Sequence, residues 1–289
     1  DSTRKINQVF YVQLSNPVNA ILGNQQASGV IVNENNSFLS VDSTGYTTPK
    51  NYNGYSLVWS DEFNGTQINR DNWGYDLGNS NGWGNSEQEF YTDTYKNSFV
   101  SNGNLIIEAR SENNGGFKYT SARMKTQGLK SFTYGRMDIR AKLPKGQGIW
   151  PALWMLGSNI NTVGWPTCGE IDIMEMLGQT PNKIYGTLHW GGSSSTHQSS
   201  GTNYTLPSSS FDQQFHVYSL LWQKDSTKIL VDDNPFFSIA NSQITPAYPF
   251  DKSFFFIFNI AVGGAWPGNP DNTTVFPQRM FVDYVRVFQ

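Results

Sequence analysis

Short segments in which apolar and polar side chains alternate make up most of this chain, and clusters of Gly, Asn, Asp, Ser and Pro separate them. Examples are NGNLIIEAR, YGRMDIRAKL, FHVYSLLW, SFFFIFNIAV and MFVDYVRVFQ. A period of two is typical of strands, and no long stripe with the helical period of 3.6 residues is present. The pattern predicts an all-β protein in which two antiparallel sheets pack as a sandwich or jelly roll.

Size and charge narrow the classes of function. The chain has 289 residues, 37% of them apolar, which suits one large all-β domain. The net charge is −3 and no Lys/Arg-rich run occurs, so we expect neither a nucleic acid nor an anionic membrane as partner. The longest apolar stretch, FFFIFNIAVGGAW, is too short to span a bilayer. The single cysteine, Cys168, excludes an intrachain disulfide.

The first 50 residues differ from the rest. Residues 10–36 contain two strand-like runs around a turn, and two strands cannot bury an apolar face of their own. Their pattern, VQLSNPVNA followed by GVIVNEN, resembles the closing strands of a Calx-beta repeat. We therefore interpret residues 1–40 as the C-terminal remnant of a preceding β domain. The polar, Gly/Ser/Thr-rich residues 41–52 are predicted to be a linker, and residues 53–289 to be the main domain.

An acidic run, GEIDIMEM at 169–176, is the clearest candidate for chemistry. If it is a strand, Glu170 and Asp172 share one face. The third acid, Glu175, comes one residue later than alternation requires, and a β-bulge would return it to that face. The outer two Cα atoms would lie roughly 13 Å apart. Their carboxyl groups could then approach to about 5 Å, the spacing of a retaining glycosidase.

Other interpretations of the same row remain open. A line of acids on a strand can be a solvated face, and a calcium site is possible. The catalytic interpretation also predicts that crowding raises the pKa of at least one carboxyl group, as a general acid requires.

Tryptophans are abundant, nine in all, and four of them stand beside Pro/Gly turns. These are Trp150, Trp154, Trp165 and Trp266. They can be core residues or exposed platforms for the apolar faces of sugars. His189 lies in TLHWGG, at the end of a predicted strand, and can be structural or catalytic.

A family resemblance joins these features. WPALWMLG, WPTCGEIDIMEMLG, GTLHWGG, LVWSDEFNG and NIAVGGAWPG occur in the order found in glycoside hydrolase family 16, and residues 53–289 resemble its bacterial laminarinase branch. The resemblance implies a β-jelly-roll with a concave substrate groove. It implies Glu170 as nucleophile, Glu175 as acid/base and Asp172 as helper carboxylate.

The resemblance also implies binding residues. The groove residues would be Asn85, Arg123, Trp150, Trp154, Trp165, His189 and Trp266. One structural calcium would be held by Glu62, the Gly103 carbonyl and Asp283, and no cofactor would be needed for catalysis. The stretch GNSEQEFYT departs from the usual Asn-Asn-Glu-Leu-Gln run, which places the contacts around 86–89 in question.

The predicted function is retaining, endo-acting hydrolysis of β-1,3-glucan, with mixed-linkage β-1,3/1,4-glucan left open as a substrate. The alternatives are a galactan hydrolase of the agarase or carrageenase type and a non-catalytic glycan-binding module on the same fold. We expect a monomer that is secreted or held at the cell surface. The chain begins DSTRKINQ, without Met or an apolar leader, so the expected export signal is not part of it.

Overall fold

The computed structural model describes residues 8–18, 26–31, 39 and 41–289. These fall into two compact units, Asp1–Val41 and Asp42–Gln289. In the first unit, strands β1 (Gln8–Gln13) and β2 (Gln26–Ile31) pair antiparallel. The two predicted strand-like runs are therefore present. Residues 19–25 and 32–36, also part of the Calx-beta-like stretch, lie outside the described residues, and the origin of this unit stays a prediction.

The second unit is built almost entirely of strands, as predicted. The strands are β3 Leu57–Asp61, β4 Gly74–Asp76, β5 Glu89–Tyr91, β6 Ser98–Ser101, β7 Asn104–Asn114, β8 Phe117–Ser121, β9 Arg123–Lys125, β10 Gly135–Lys142, β11 Ile149–Gly157, β12 Glu170–Met176, β13 Lys183–Trp190, β14 Gln198–Thr205, β15 His216–Trp222, β16 Ser226–Val231, β17 Asn234–Ala240, β18 Phe254–Val262 and β19 Gln278–Phe288. One short α-helix, α1, covers Ile160–Val163. Single 3-10 turns cover Gly82–Gly84, Ser194–Thr196 and Asn241–Gln243.

Two large sheets account for these strands, which confirms the predicted all-β architecture. One has the order β17-β16-β15-β10-β19-β7-β8-β5, with β3 beside β19 and β6 beside β7. The other has seven strands in the order β14-β13-β12-β11-β18-β9-β4. Pairing in both is antiparallel except for the short parallel contact between β5 and β8. We call the seven-strand sheet the groove sheet, because the candidate active site lies on it.

The central strands of the groove sheet show how the sequence places the core. In β18, Phe256 and Phe258 belong to the main hydrophobic cluster, whereas the intervening Ile257 and Asn259 point to the opposite face. All nine residues of β18 are nevertheless buried. Such a strand reads as a continuous apolar run rather than as alternation.

Residues 42–52 do not form the predicted free linker. Backbone hydrogen bonds join Tyr46 N–H to the Phe215 carbonyl and Phe215 N–H to the Thr44 carbonyl, at 3.0 and 2.9 Å. The Arg140 guanidinium, 3% exposed, donates to the carbonyl oxygens of Ser43 and Tyr46. A polar composition suggested a linker, but these polar groups are partners that buried side chains of the second unit require. The second compact unit accordingly begins at Asp42, ahead of the predicted start of the main domain at residue 53.

Within the described residues, none of the helices has the length and apolar character that a bilayer crossing demands.

Candidate active site

The acidic run forms strand β12, and the predicted bulge is present. Glu170 lies opposite Leu156 and His189, and Asp172 lies opposite Trp154 and Thr187. The register then shifts. Ile173 is the extra residue, because Leu153 pairs with Met174 while Trp154 pairs with Asp172. Ile171, Ile173, Met174 and Met176 join the core, so the three acids share the other face of the groove sheet.

Each outer acid receives one indole hydrogen bond. Trp165 donates its Nε1–H to Oε2 of Glu170 at 3.1 Å, and Trp150 donates its Nε1–H to Oε1 of Glu175 at 3.0 Å. Between them, Asp172 is buried, and its Oδ2 lies 3.1 Å from Nε2 of His189. The same His189 nitrogen is 3.9 Å from Oε1 of Glu170. Aromatic rings thus lie beside the two outer acids, and each ring supplies one hydrogen-bond donor.

This environment opposes three negative charges. Burial, followed by the charge of Asp172, raises the pKa of Glu170 to about 8. Burial raises the pKa of Asp172 to about 8 as well. Burial and the charges of its two neighbours raise the pKa of Glu175 well above its usual value. The row therefore retains a proton at neutral pH, as the sequence analysis predicted.

The proton is best placed on Glu175. His189, Arg123 and the Trp165 N–H all favour the ionised form of Glu170. The charge of His189 and the Trp150 N–H favour the ionised form of Glu175, but the charges of Asp172 and Glu170 disfavour it. The surroundings therefore favour ionisation of Glu170 before Glu175, which is the order that a retaining glycosidase needs for its nucleophile and its general acid.

A pocket of about 340 Å³ lies above the acids. Its wall includes most of the residues predicted from the sequence, namely Asn85, Arg123, Trp150, Trp154, Trp165, Glu170, Asp172 and Glu175. His189 contacts the pocket through Asp172, and Trp266 packs edge-on against Trp150 at 5.3 Å. The structure thus brings all ten predicted catalytic and groove residues to one place.

The four predicted tryptophan platforms are not equivalent. Trp165 and Trp266 are each 41% exposed and can offer a ring face to a ligand. Trp150 and Trp154 are half-buried. Trp154 donates its N–H to Asn259 at 2.8 Å, and Arg123 lies over its ring at 4.8 Å. The latter two rings therefore belong partly to the scaffold.

A hydrogen-bonded chain supports the other side of the pocket. Asn259 donates from Nδ2 to the Tyr91 hydroxyl at 3.1 Å, and Tyr91 donates that hydroxyl to Oε2 of Glu87 at 3.0 Å. The second oxygen of Glu87 accepts from the side chain of Asn85 at 3.0 Å. Glu87, inside the stretch that departs from the family pattern, thus fixes the exposed Asn85.

Several site residues were not found from the sequence. Glu87, Tyr91 and Asn259 act through contacts between distant segments, which no local pattern reveals. Trp83 lies on the pocket wall with Arg123 over its ring at 4.6 Å, and its positive φ of 52° marks a tight loop. Tyr185 could have been found, because it stands two residues from Thr187 on the strand opposite the acids, beside Glu175.

The predicted calcium ligands are engaged with arginines. Both oxygens of Glu62 accept from Arg286 at 2.7 Å, and Oδ2 of Asp283 accepts from Arg140 at 2.7 Å. As arranged, these two carboxylates are already paired with cations and do not offer a metal an open anionic site. Among the described residues, the acidic and imidazole groups that could hold an ion together are Glu170, Asp172 and His189. Those are the residues of the acidic row itself, and we derive no step through a metal.

The model of the family described as glycosyl hydrolases family 16 matches residues 85–286, from Asn85 in the pocket to strand β19. The chain belongs to glycosyl hydrolase family 16. The matched range includes strand β12, which carries the row of acids, and the observed all-β fold agrees with membership.

Individual relatives of this family 16 chain include laminarinases. The catalytic domain of a Thermotoga maritima laminarinase is 48% identical, with a TM-score of 0.77, over 81% of this chain and 98% of that one. A beta-glucanase from Rhodothermus marinus is 42% identical over 81% of this chain and 85% of its own length. A glucan endo-1,3-beta-glucosidase A1 from Niallia circulans is 39% identical over 86% of this chain. This chain spans only 40% of the Niallia protein.

Proposed function

We propose that this family 16 hydrolase is a retaining endo-β-1,3-glucanase. The observation that carries the proposal is the acidic row of β12, in which Glu170 and Glu175 each accept one indole hydrogen bond and Asp172 lies between them. The names of the relatives supply the substrate class, since glucan endo-1,3-beta-glucosidases and laminarinases are similar to the chain over more than four-fifths of it.

The first half of the reaction uses the two outer acids in different roles. The carboxylate of Glu170 attacks the anomeric carbon while the carboxylic acid of Glu175 gives its proton to the glycosidic oxygen. The bond between the anomeric carbon and that oxygen breaks, the leaving sugar departs as an alcohol, and Glu170 becomes a glycosyl ester.

The second half reverses the roles. Ester formation removes the charge of Glu170, which had raised the pKa of Glu175. The pKa of Glu175 therefore falls, and its carboxylate takes a proton from a water molecule. That water attacks the anomeric carbon and frees Glu170 as a carboxylate. Two inversions leave the product with the β configuration of the substrate.

Asp172 and His189 act on Glu170 rather than on the sugar. The charge of Asp172 raises the pKa of Glu170 and that of His189 lowers it. The pair thus adjusts how readily Glu170 ionises before attack and how well it leaves afterwards.

The pocket favours a neutral glucan. The exposed rings of Trp165 on the pocket wall and of Trp266 beside Trp150 can stack on sugar faces, and Asn85 and Arg123 can hold hydroxyl groups. Arg123 donates to Asp76 at 3.0 Å, so its charge is already balanced and is a weak attractor for sulfated galactans. One relative, a keratan-sulfate endo-1,4-beta-galactosidase from Sphingobacterium multivorum, is 31% identical. The glucanase relatives are more similar to the chain, at 39% and 42% identity, so the galactan alternative is less favoured. It remains an outcome of the test.

Reducing-sugar release from laminarin, lichenan and agarose separates the alternatives. We expect rapid release from laminarin, with lichenan reporting any action on mixed linkages. Release from agarose alone would indicate a galactanase. Binding to laminarin without release would indicate a non-catalytic module. Glu170→Gln is the matched control, because the amide keeps the shape of the side chain but cannot attack, and its activity should fall by at least about 10⁴-fold.

The setting of the enzyme is also a proposal. A glucan polymer is too large to enter a cell intact, which supports a secreted or cell-surface enzyme. All the residues of the site come from one chain, which supports a monomer, and size-exclusion chromatography with light scattering tests it. The predicted calcium at Glu62, Gly103 and Asp283 is tested by the melting temperature of EDTA-treated protein. Because both carboxylates are paired with arginines, we expect no rise on adding calcium, and a rise with calcium but not with magnesium would restore the predicted site.

A further inference from the structure

Behind the acidic row, on the side of Glu170, two histidines form a stacked pair. His189 on β13 and His197, which follows the turn Ser194–Thr196, have ring centroids 5.1 Å apart and planes inclined by 17°. Nδ1 of His189 and Nε2 of His197 are 2.9 Å apart, which is a hydrogen-bond distance. The chain has three histidines, and the third, His216, is paired with Asp232 instead.

The protons of this pair are constrained by their surroundings. Nε2 of His189 faces two carboxyl groups, at 3.1 Å from Asp172 and 3.9 Å from Glu170. The buried Oδ2 of Asp172 has no hydrogen-bond partner of good geometry, and Nε2 of His189 is a potential donor 3.1 Å away, so we place a hydrogen on this nitrogen. In neutral His189 the other nitrogen, Nδ1, is then an acceptor, and the hydrogen between the two rings belongs to His197.

The hydrogen bond between the two rings also limits the pair to one positive charge. If His189 takes up a proton, its Nδ1–H donates to an unprotonated Nε2 of His197, and the contact survives. Protonating both rings would place two N–H groups against each other and break the contact. Burial and the charge of His189 accordingly lower the pKa of His197.

His197 touches the site a second time, through Trp165. Their ring centroids are 4.7 Å apart, and Trp165 is the residue that donates to Glu170. Trp165 is 41% exposed and has a solvent-facing side, so a packing partner on one face limits its rotation. One residue thus supports two groups that favour the ionised form of Glu170, His189 by its charge and Trp165 by its hydrogen bond.

We propose that His197 is a positioning residue for the hydrolysis, which keeps Nε2 of His189 protonated and beside Asp172 and Glu170 and supports the ring of Trp165. It touches no reacting atom. The role rests on the proposed function for its effect on turnover, but the proton arrangement can be observed without any substrate.

The first test is long-range proton–nitrogen NMR of the imidazole groups in the wild-type protein near neutral pH. With three histidines the spectrum can be assigned from His197→Gln and from His216 variants. We expect Nε2 of His189 to be protonated. An unprotonated Nε2 on His189 would overturn the proposal, whatever the substrate of the enzyme proves to be.

The second test uses two substitutions that divide the two contacts. His197→Phe keeps a ring against Trp165 but cannot hydrogen-bond to His189, so kcat should fall about tenfold or more with KM little changed. His197→Gln can still donate to Nδ1 of His189 but lacks the ring, so it should keep most of kcat and raise KM. Unchanged kcat in His197→Phe, or equal losses in both variants, would overturn the proposal.

A purely structural role is distinguished by the melting temperature, which would fall without a change in kcat. If the wild type proves inactive on laminarin, the proposed function fails, while the NMR result still decides the arrangement of the histidines.

Discussion

Trp150 donates its indole N–H to Glu175 across strands β11 and β12, at 3.0 Å. The bond favours the charged form of a group that must hold a proton for the first half of the reaction. The bond therefore lowers the pKa of Glu175, whereas burial and the charges of Asp172 and Glu170 raise it. The balance between these effects is what makes Glu175 able to give and then take a proton.

Removing this donor gives the first prediction. Trp150→Phe keeps an aromatic ring but loses the N–H, so the pKa of Glu175 should rise further. Because activity requires protonated Glu175, the alkaline limb of the profile of kcat/KM against pH should move to higher pH. The control is Trp266→Phe, since Trp266 packs edge-on against Trp150 and Tyr185 and its replacement leaves the Trp150 N–H in place. A limb that moves to lower pH, or moves equally in the control, would contradict the assignment.

The acidic row also predicts how stability depends on pH. The folded state raises the pKa of Glu170 from 4.5 to about 8, so it binds a proton more tightly than the unfolded chain does. The stabilisation from that proton is complete below about pH 4.5 and is lost as the pH rises through about 8. At about 1.4 kcal/mol for each pKa unit, the free energy of unfolding should therefore fall by up to about 5 kcal/mol across this window.

Chemical denaturation of the wild type and of Glu170→Gln from pH 4 to 9 measures this effect. The amide cannot ionise, so the variant should become more stable than the wild type as the pH rises. Glu112→Gln, on the other sheet, serves as the control. Parallel curves for the wild type and Glu170→Gln would mean that the row is not strained by charge.

The tryptophans should separate into two classes. Trp266 is 41% exposed, so Trp266→Ala should raise KM for laminarin several-fold with little loss of stability. Trp154 is half-buried, is bonded to Asn259 and lies under Arg123, so Trp154→Ala should lose binding and also about 2–4 kcal/mol of stability. The measurements are KM and the free energy of unfolding, and equal stability losses in the two variants would refute the distinction.

Truncation from the N-terminus tests the domain boundary. A chain that begins at residue 42 should keep the wild-type activity and the melting temperature of the second unit. A chain that begins at residue 53 loses partners of three buried residues, Asp138, Arg140 and Arg286. It should melt several degrees lower, because buried polar groups without partners are costly. Equal melting temperatures for the two truncations would restore the linker interpretation.

The sequence predicted the parts of the site that one strand encodes. The spacing of Glu170, Asp172 and Glu175 contains the bulge, because only an inserted residue places all three on one face. For the four tryptophans beside Pro/Gly turns the sequence left core and platform open, and the structure exposes Trp165 and Trp266. The antiparallel pairing of most strands followed from short period-two segments.

Features that depend on distant contacts could not be predicted. Glu87 and Asn259 are linked through Tyr91, 168 residues from Asn259. Residues 42–52 resembled a linker because their composition is polar. The arginines that donate hydrogen bonds to their carbonyl groups lie far along the chain, so the local sequence does not reveal these contacts. His197 follows a serine-rich turn, and only the folded β13–β14 hairpin places it on His189.

The configuration of the first product tests the central claim most directly. Proton NMR of the reducing end, recorded in the first minutes of laminarin hydrolysis before the anomers equilibrate, reports which face of the anomeric carbon received the water. Attack by Glu170 followed by attack of water requires the β anomer to appear first. An initial α anomer would mean a single displacement, and Glu170 would then not be the nucleophile.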